Sequence, residues 1–275
     1  MNIVIVGLGI IGGSMAMAIK KYTDHYVIGI NRTRATLEKA YKCGAIDEMG
    51  SEQSLRNADL VILGLYPELA VEYIEKHGDK IKKGAIVTDT SGIKSAICPK
   101  MDALAELHGF TFIGSHPMAG KETNGFQSAD PDLFKGASFI VIPGNVQYSK
   151  VEVLCKLAND IGFSSYRFTT PEEHDRMIAY TSQLPHVLAC AYVLSPQCSN
   201  HHGFSAGSYR DVSRVAKINA ELWSELFMEN REPLTKEIDT LIENLRLIRD
   251  QINASDRDEL IKTLQKSREI KESLD

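Results

Sequence analysis

The chain has 275 residues, 43% hydrophobic and 24% charged, the composition of a soluble globular protein with two domains or one large α/β unit plus an appendage. A formal net charge of −5 argues against a dedicated nucleic-acid binder, which is normally basic. Five cysteines without a C-x-x-C pair, a start without a basic leader or cleavage site, and no apolar run of the ~18 residues a bilayer requires predict a cytoplasmic protein with no membrane contact.

The N-terminal stretch NIVIVGLGIIGGSMAMAIKK is a β-branched run, a glycine-rich turn and an amphipathic helix. Gly7, Gly9 and Gly12 fit G-x-G-x-x-G. In that motif one glycine makes the tight turn, one lets the backbone approach a pyrophosphate, and one lets helix and strand pack closely. The amides that open the helix point at the phosphates. Apolar strands are expected at 26–30, 60–65, 85–90, 110–115 and 137–143, with helices at 33–42, 68–77 and 94–107. Continuous apolar strands alternating with helices predict an α/β class, a Rossmann-type doubly wound parallel sheet covered on both faces. The candidate cofactor contacts are Gly7, Leu8, Gly9, Ile10, Ile11 and Gly12, with Leu65, Tyr66 and Pro67 after the strand at 60–65.

The second strand ends GINRTR, at the position where NAD enzymes carry an acid for the ribose 2′-hydroxyl. Here Asn31, Arg32 and Thr33 stand instead, followed by Arg34. A carboxylate would repel a 2′-phosphate, whereas a guanidinium forks to it. The expected cofactor is NADP in preference to NAD. The plain alternative is that Arg32 and Arg34 are solvated residues at a helix start.

Near residue 170 the character changes. TPEE (170–173) offers Thr170 as helix N-cap, Pro171 at the first helical position and Glu173 to close a capping box. Only helical patterns follow. Ile238, Leu241, Ile242, Leu245, Ile248 and Ile252 form one apolar stripe, and Leu260, Leu264, Ser267 and Lys271 a second, more polar one. The expected division is a dinucleotide-binding domain over 1–168 and an all-α domain over 169–275 that serves substrate binding and homodimerisation.

Three stretches place polar groups where packing does not ask for them. IGSHPMAGKE (113–122) puts His116 beyond a strand's carboxyl end, the edge where open α/β sheets bind ligands. In TSQLPH (181–186), Pro185 lacks an N–H and clashes with the carbonyl of residue 181, so the helix should kink or open at His186. In GSYRDVSRVAKINAELW (207–223), Arg210 and Arg214 are spaced i, i+4 on one helix face ahead of Trp223, the only tryptophan. Each has a bland alternative as a surface or hydrogen-bonded core residue. His201 and His202 read as exposed loop residues, and no metal-ligand spacing appears.

With the glycine loop, DTSGIK, SHPMAGKE, SQLPH and YRDVSRVAKINAELWSELFMEN in this order, the whole chain resembles the prephenate/arogenate dehydrogenase family of tyrosine biosynthesis. The resemblance implies oxidative decarboxylation of prephenate to 4-hydroxyphenylpyruvate with hydride transfer to NADP. It equally allows an arogenate dehydrogenase that forms tyrosine directly; other NADP oxidoreductases and a non-enzymatic NADP sensor are the remaining alternatives. It assigns His116 as the catalytic histidine, with Glu122, His186, Arg210 and Arg214 on the substrate side. Where the family often has a serine supporting that histidine this chain has Gly92, and Ser91, one residue earlier, is the catalytic candidate. The chain ends at Asp275 without the small regulatory domain that some relatives append, so end-product control through a separate site is not expected.

Overall fold

The computed structural model describes residues 1–121 and 123–274. β1 (Asn2–Val6) turns through Gly7 into α1 (Ile10–Tyr22). Gly7 has φ +90°, and a Cβ there would lie 2.5 Å from the Gly64 carbonyl oxygen; one on Gly12 would lie 2.0 Å from that of Gly7. No side chain fits at either place, so strand, loop and helix pack in direct contact. β2 (Tyr26–Ile30), α2 (Arg34–Lys42), the short β3 (Glu48–Met49), β4 (Leu60–Leu63) and α3 (Pro67–His77) continue the alternation. β5 (Ile86–Asp89), α4 (Cys98–His108), β6 (Thr111–Pro117), β7 (Ser138–Ile142), α5 (Tyr148–Asp160) and β8 (Ser165–Phe168) complete the α/β part. The sheet order is β3-β2-β1-β4-β5-β6-β7-β8. Order therefore reverses between β1 and β4, and the crevice outside their carboxyl ends is the ligand edge of such sheets. One apolar cluster fills each face, around Ile5, Ile19 and Phe139 on one side and Val4, Ile74 and Met101 on the other.

Three expectations need correcting. The sheet is not wholly parallel: β7 pairs antiparallel with β6, setting His116 opposite Ile140, and β8 runs parallel to β7. Among its described residues the β6–β7 connection holds only a short 3₁₀ turn, Phe126–Ser128, and an antiparallel neighbour needs no helical crossover. His116 accordingly lies inside β6 and not beyond it. The helix expected from 94 begins only at Cys98, because the backbone amides of Lys94 and Ser95 donate to the Asp175 carboxylate instead.

The remainder is helical: α6 (Pro171–Ile178), α7 (Leu184–Val193), α8 (Gly207–Ser213), α9 (Ala220–Glu229), α10 (Arg231–Asn253) and α11 (Arg257–Glu272). Thr170 accepts the Glu173 amide at 3.2 Å. The Glu173 carboxylate takes the Thr169 hydroxyl and Arg167, so the expected capping box is only half formed. Between α6 and α7 the chain does not break; it widens into a π-helical turn, Ala179–Gln183. A wide turn just ahead of Pro185 absorbs the missing amide and the ring's bulk while the helix runs on. Along α10 burial is confined to the start, at Leu234, whereas Leu245 and Ile252 are 53% and 59% exposed. Among the described residues no helix is long and apolar enough to cross a membrane.

Candidate active site

A cavity of about 930 Å³ opens at the carboxyl ends of β1 and β4, lined by both the sheet connections and the helices after α7. Gly9, Ile10 and Ile11 line it from the glycine loop, and Leu65, Tyr66 and Pro67 from the β4–α3 connection. A Cβ at Gly9 would meet no atom within 4 Å, so this glycine holds space for a ligand and fills no packing gap. The first turn of α1 has no acidic residue, and its leading amides suit an anionic group. These features fit the diphosphate of a dinucleotide. Gly7, Leu8 and Gly12 stand behind the lining; Leu8 is 1% exposed.

Asn31, Arg32 and Thr33 lie at the carboxyl end of β2, outside that lining. The Asn31 side chain is used structurally: Oδ1 accepts the Leu8 amide at 3.0 Å, and Nδ2 donates to the Thr33 carbonyl at 3.3 Å. Arg34 pairs with Glu38 at 3.0 Å, and Arg32 is exposed.

His116, half-buried, lines the same cavity from β6. Beneath it the ends of β5 and β6 carry a buried polar knot. Lys94 and Asp89, both fully buried, form an ion pair at 2.5 Å. Asp89 also accepts the amides of Ser91 and Ser115, at 3.0 and 3.2 Å. Burial holds the His116 ring's pKa well below the ordinary histidine value, with His174 and the Lys94 cation adding to the effect. It is a neutral imidazole at physiological pH, and a weaker base than its residue type suggests.

His116 Nδ1 lies 2.9 Å from His174 Nε2, and His174 Nδ1 lies 2.6 Å from Asp175 Oδ1. His174 and Asp175 are 2% and 3% exposed. Neither stands out in the sequence, because TPEEHD looks like a solvated helix start. A signal was there: Ile178 and Ala179, both buried, follow each at i+4, which sets this polar pair on the apolar stripe of α6.

From the opposite wall come Arg214, His186 and Trp223. His186 donates from Nδ1 to the Val215 carbonyl at 2.9 Å, and its ring packs on Trp223 at 3.7 Å between centroids. The stretch 207–216 supplies Arg214 where α8 gives way to a 3₁₀ turn, Arg214–Ala216. Arg210, one turn earlier, is exposed and not part of the lining. The cavity thus brings His116, Ser91, His186 and Arg214 together and leaves Arg210 outside it; Glu122 lies outside the described residues. Ser91 is buried, and its Oγ has no hydrogen-bond partner among the described residues. A Cβ at Gly92 would lie 3.9 Å from His116 Cε1, so a serine at that place would adjoin the ring. His201, expected in an open loop, stacks on Tyr209 at 4.4 Å and bonds Ser205.

Comparison with known proteins agrees over the whole length. Residues 15–166 match the family model of the prephenate dehydrogenase nucleotide-binding domain, and residues 170–266 that of the prephenate dehydrogenase dimerization domain. The prephenate dehydrogenase of Bacillus subtilis is 27% identical over 284 residues, 99% of this chain and 76% of its own length. Synechocystis arogenate dehydrogenase superposes with a TM-score of 0.85 at 27% identity, covering 100% of both chains. The prephenate dehydrogenase of A. aeolicus, solved with hydroxyphenyl propionate and NAD+, gives a TM-score of 0.88 at 25% identity over 100% of this chain and 98% of that one.

Proposed function

Since the chain belongs to the prephenate dehydrogenase family, we propose that it oxidises and decarboxylates prephenate to 4-hydroxyphenylpyruvate, with NADP as hydride acceptor. The observation that carries this is one cleft lined by His116 from the sheet and by Arg214 from the helical part, next to a glycine loop with room for a diphosphate. A protein that only sensed NADP would use the loop and have no use for His116 facing Arg214.

Prephenate is a cyclohexadienol with two carboxylates. Loss of hydride from the carbinol carbon and of the proton from its hydroxyl leaves a vinylogous β-keto acid, which releases CO2 as the ring aromatises. Gly9, the opening amides of α1 and Leu65–Pro67 hold the dinucleotide, whose nicotinamide supplies the hydride acceptor. His116 takes the hydroxyl proton, a task for an unprotonated imidazole. Arg214 grips a carboxylate through its planar fork, with His186 beside it. Ser91, whose hydroxyl has no partner among the described residues, would serve the hydroxyl end of the substrate. Arg32 meets the 2′-phosphate that distinguishes NADP from NAD. The exposed stripe of α10 pairs two copies as a homodimer, in line with the description of the family model matching 170–266.

Arogenate is a second reading, favoured by the likeness to the Synechocystis enzyme; the two substrates differ only by keto against amino on the side chain. The test is absorbance at 340 nm with NADP and each substrate in parallel. Turnover of prephenate with a higher kcat/KM than arogenate is expected. The reverse ranking makes the chain an arogenate dehydrogenase, and no turnover of either rejects the enzyme.

A further inference from the structure

We propose that His174 and Asp175 are positioning residues that fix the catalytic tautomer of His116, in the place a serine at position 92 would otherwise serve. The inference rests on the proposed role of His116. Asp175 is held as a fixed acceptor, its two oxygens receiving the backbone amides of Lys94 and Ser95 at 2.8 and 2.7 Å. At 2.6 Å from Oδ1, His174 Nδ1 must be the protonated nitrogen, because a carboxylate only accepts. In the neutral ring Nε2 then carries the lone pair, and at 2.9 Å it takes the N–H of His116 Nδ1. What remains to His116 is an unprotonated Nε2 for the cleft. Each link leaves only one choice for the next.

The chain of bonds also deals with the product of the proton transfer. When His116 Nε2 accepts the hydroxyl proton, its ring becomes cationic while still donating through Nδ1 to a histidine backed by a carboxylate. Lys94 and the His174 ring both disfavour that positive charge, and the bond from Nδ1 to His174 keeps the cationic ring oriented. The charged and titratable groups around the pair are Lys94 and Asp89 from the β5 side and Asp175 from α6. On the remaining side Gly92 offers no hydroxyl, so among the described residues the tie that orients the ring runs to α6.

The test uses the full chain. His174→Phe removes the acceptor and should lower kcat roughly 10- to 100-fold while KM for substrate and NADP stays within about twofold. His174→Gln, whose side-chain oxygen can accept the same N–H, should recover most of the loss. In a His116→Asn background His174→Phe should cost nothing more. Independently of turnover, ¹⁵N shifts of the wild-type imidazoles at neutral pH should show His116 protonated at Nδ1 and not at Nε2. If His174→Phe does not fold, His174→Gln and these shifts decide. The proposal is overturned by an Nε2–H tautomer at His116, by kcat of His174→Phe within threefold of wild type, or by an equal loss in the His116→Asn background. Retention of kcat by His116→Asn itself would instead reject His116 as the base, and leaves the tautomer measurement standing.

Discussion

At His116 burial and two neighbours, the ring of His174 and the cation of Lys94, favour the uncharged ring. A proton acceptor works only when unprotonated, and lowering its pKa extends the working form to more acidic pH. The acidic limb of the kcat profile should therefore lie below the ordinary histidine value, with kcat flat from there through neutrality. His116→Asn should remove the limb and lower kcat by ~10²–10⁴; a variant keeping more than about a tenth of wild-type kcat would make the histidine structural. Arg214→Ala should act mainly through KM, since a carboxylate clamp serves ground and transition states alike. Arg32→Ala should raise KM for NADP and leave NAD almost unaffected, and a wild type preferring NAD tenfold would contradict the NADP assignment. That His116 and Arg214 belong to one site was legible only through the resemblance of the motifs around them, since each alone reads equally as a surface or core residue; the structure has both lining one cavity. The His174–Asp175 pair was not, since an acid and a histidine in a first helical turn look like solvated cap residues until the tertiary fold buries them.

Among the elements, the βα alternation and the helical second half could be read from periodicity, but strand direction at the far edge could not. Ser138–Ile142 has the same apolar look whether it runs with or against its neighbour, and only the connection before it, whose described residues hold no α-helix, marks the difference. Likewise Pro185 announces a disturbance in its helix without saying whether the helix bends or widens. What holds the widened turn is Asn230, buried between α9 and α10. Its side-chain amide donates to the Asp175 carbonyl at 2.9 Å and to Gln183 Oε1 at 2.7 Å, while Gln183 donates to the Leu226 carbonyl. Asn230→Leu keeps the volume but leaves Gln183 Oε1 unpaired, while the Asp175 carbonyl keeps the Ala179 amide, so a loss of roughly 1–3 kcal/mol is expected in urea unfolding. A loss below about 0.5 kcal/mol would mean that water replaces the amide and the network is not what fixes the turn.

For the molecule as a whole, the proposed homodimer would cover the apolar stripe ending at Leu245 and Ile252, which the single chain leaves exposed. Sedimentation at micromolar concentration should give about twice the 30.5 kDa of one chain, and Leu245→Glu with Ile252→Glu should shift it towards the monomer. A wild type that sediments as a single chain would remove the homodimer from the proposal. The stripe itself was plain in the heptad-like spacing; that it stays uncovered in the single chain needed the packing of α10 and α11.

The placement of His116 within a strand, with Arg214 in a short 3₁₀ turn, divides labour between two parts of unequal tolerance to change. A residue laddered into the sheet cannot shift without disturbing Ile140 and the strands beyond it. A residue in a turn between short helices can be exchanged, lengthened or tilted at small cost to its neighbours. With the roles proposed for His116 and Arg214, oxidation of the ring hydroxyl would be tied to the less tolerant half of the molecule, and recognition of what hangs from the ring to the more tolerant half. Descendants of such a scaffold can diversify their choice of side chain, keto or amino, by rewriting the helical wall alone, with the redox chemistry inherited unchanged.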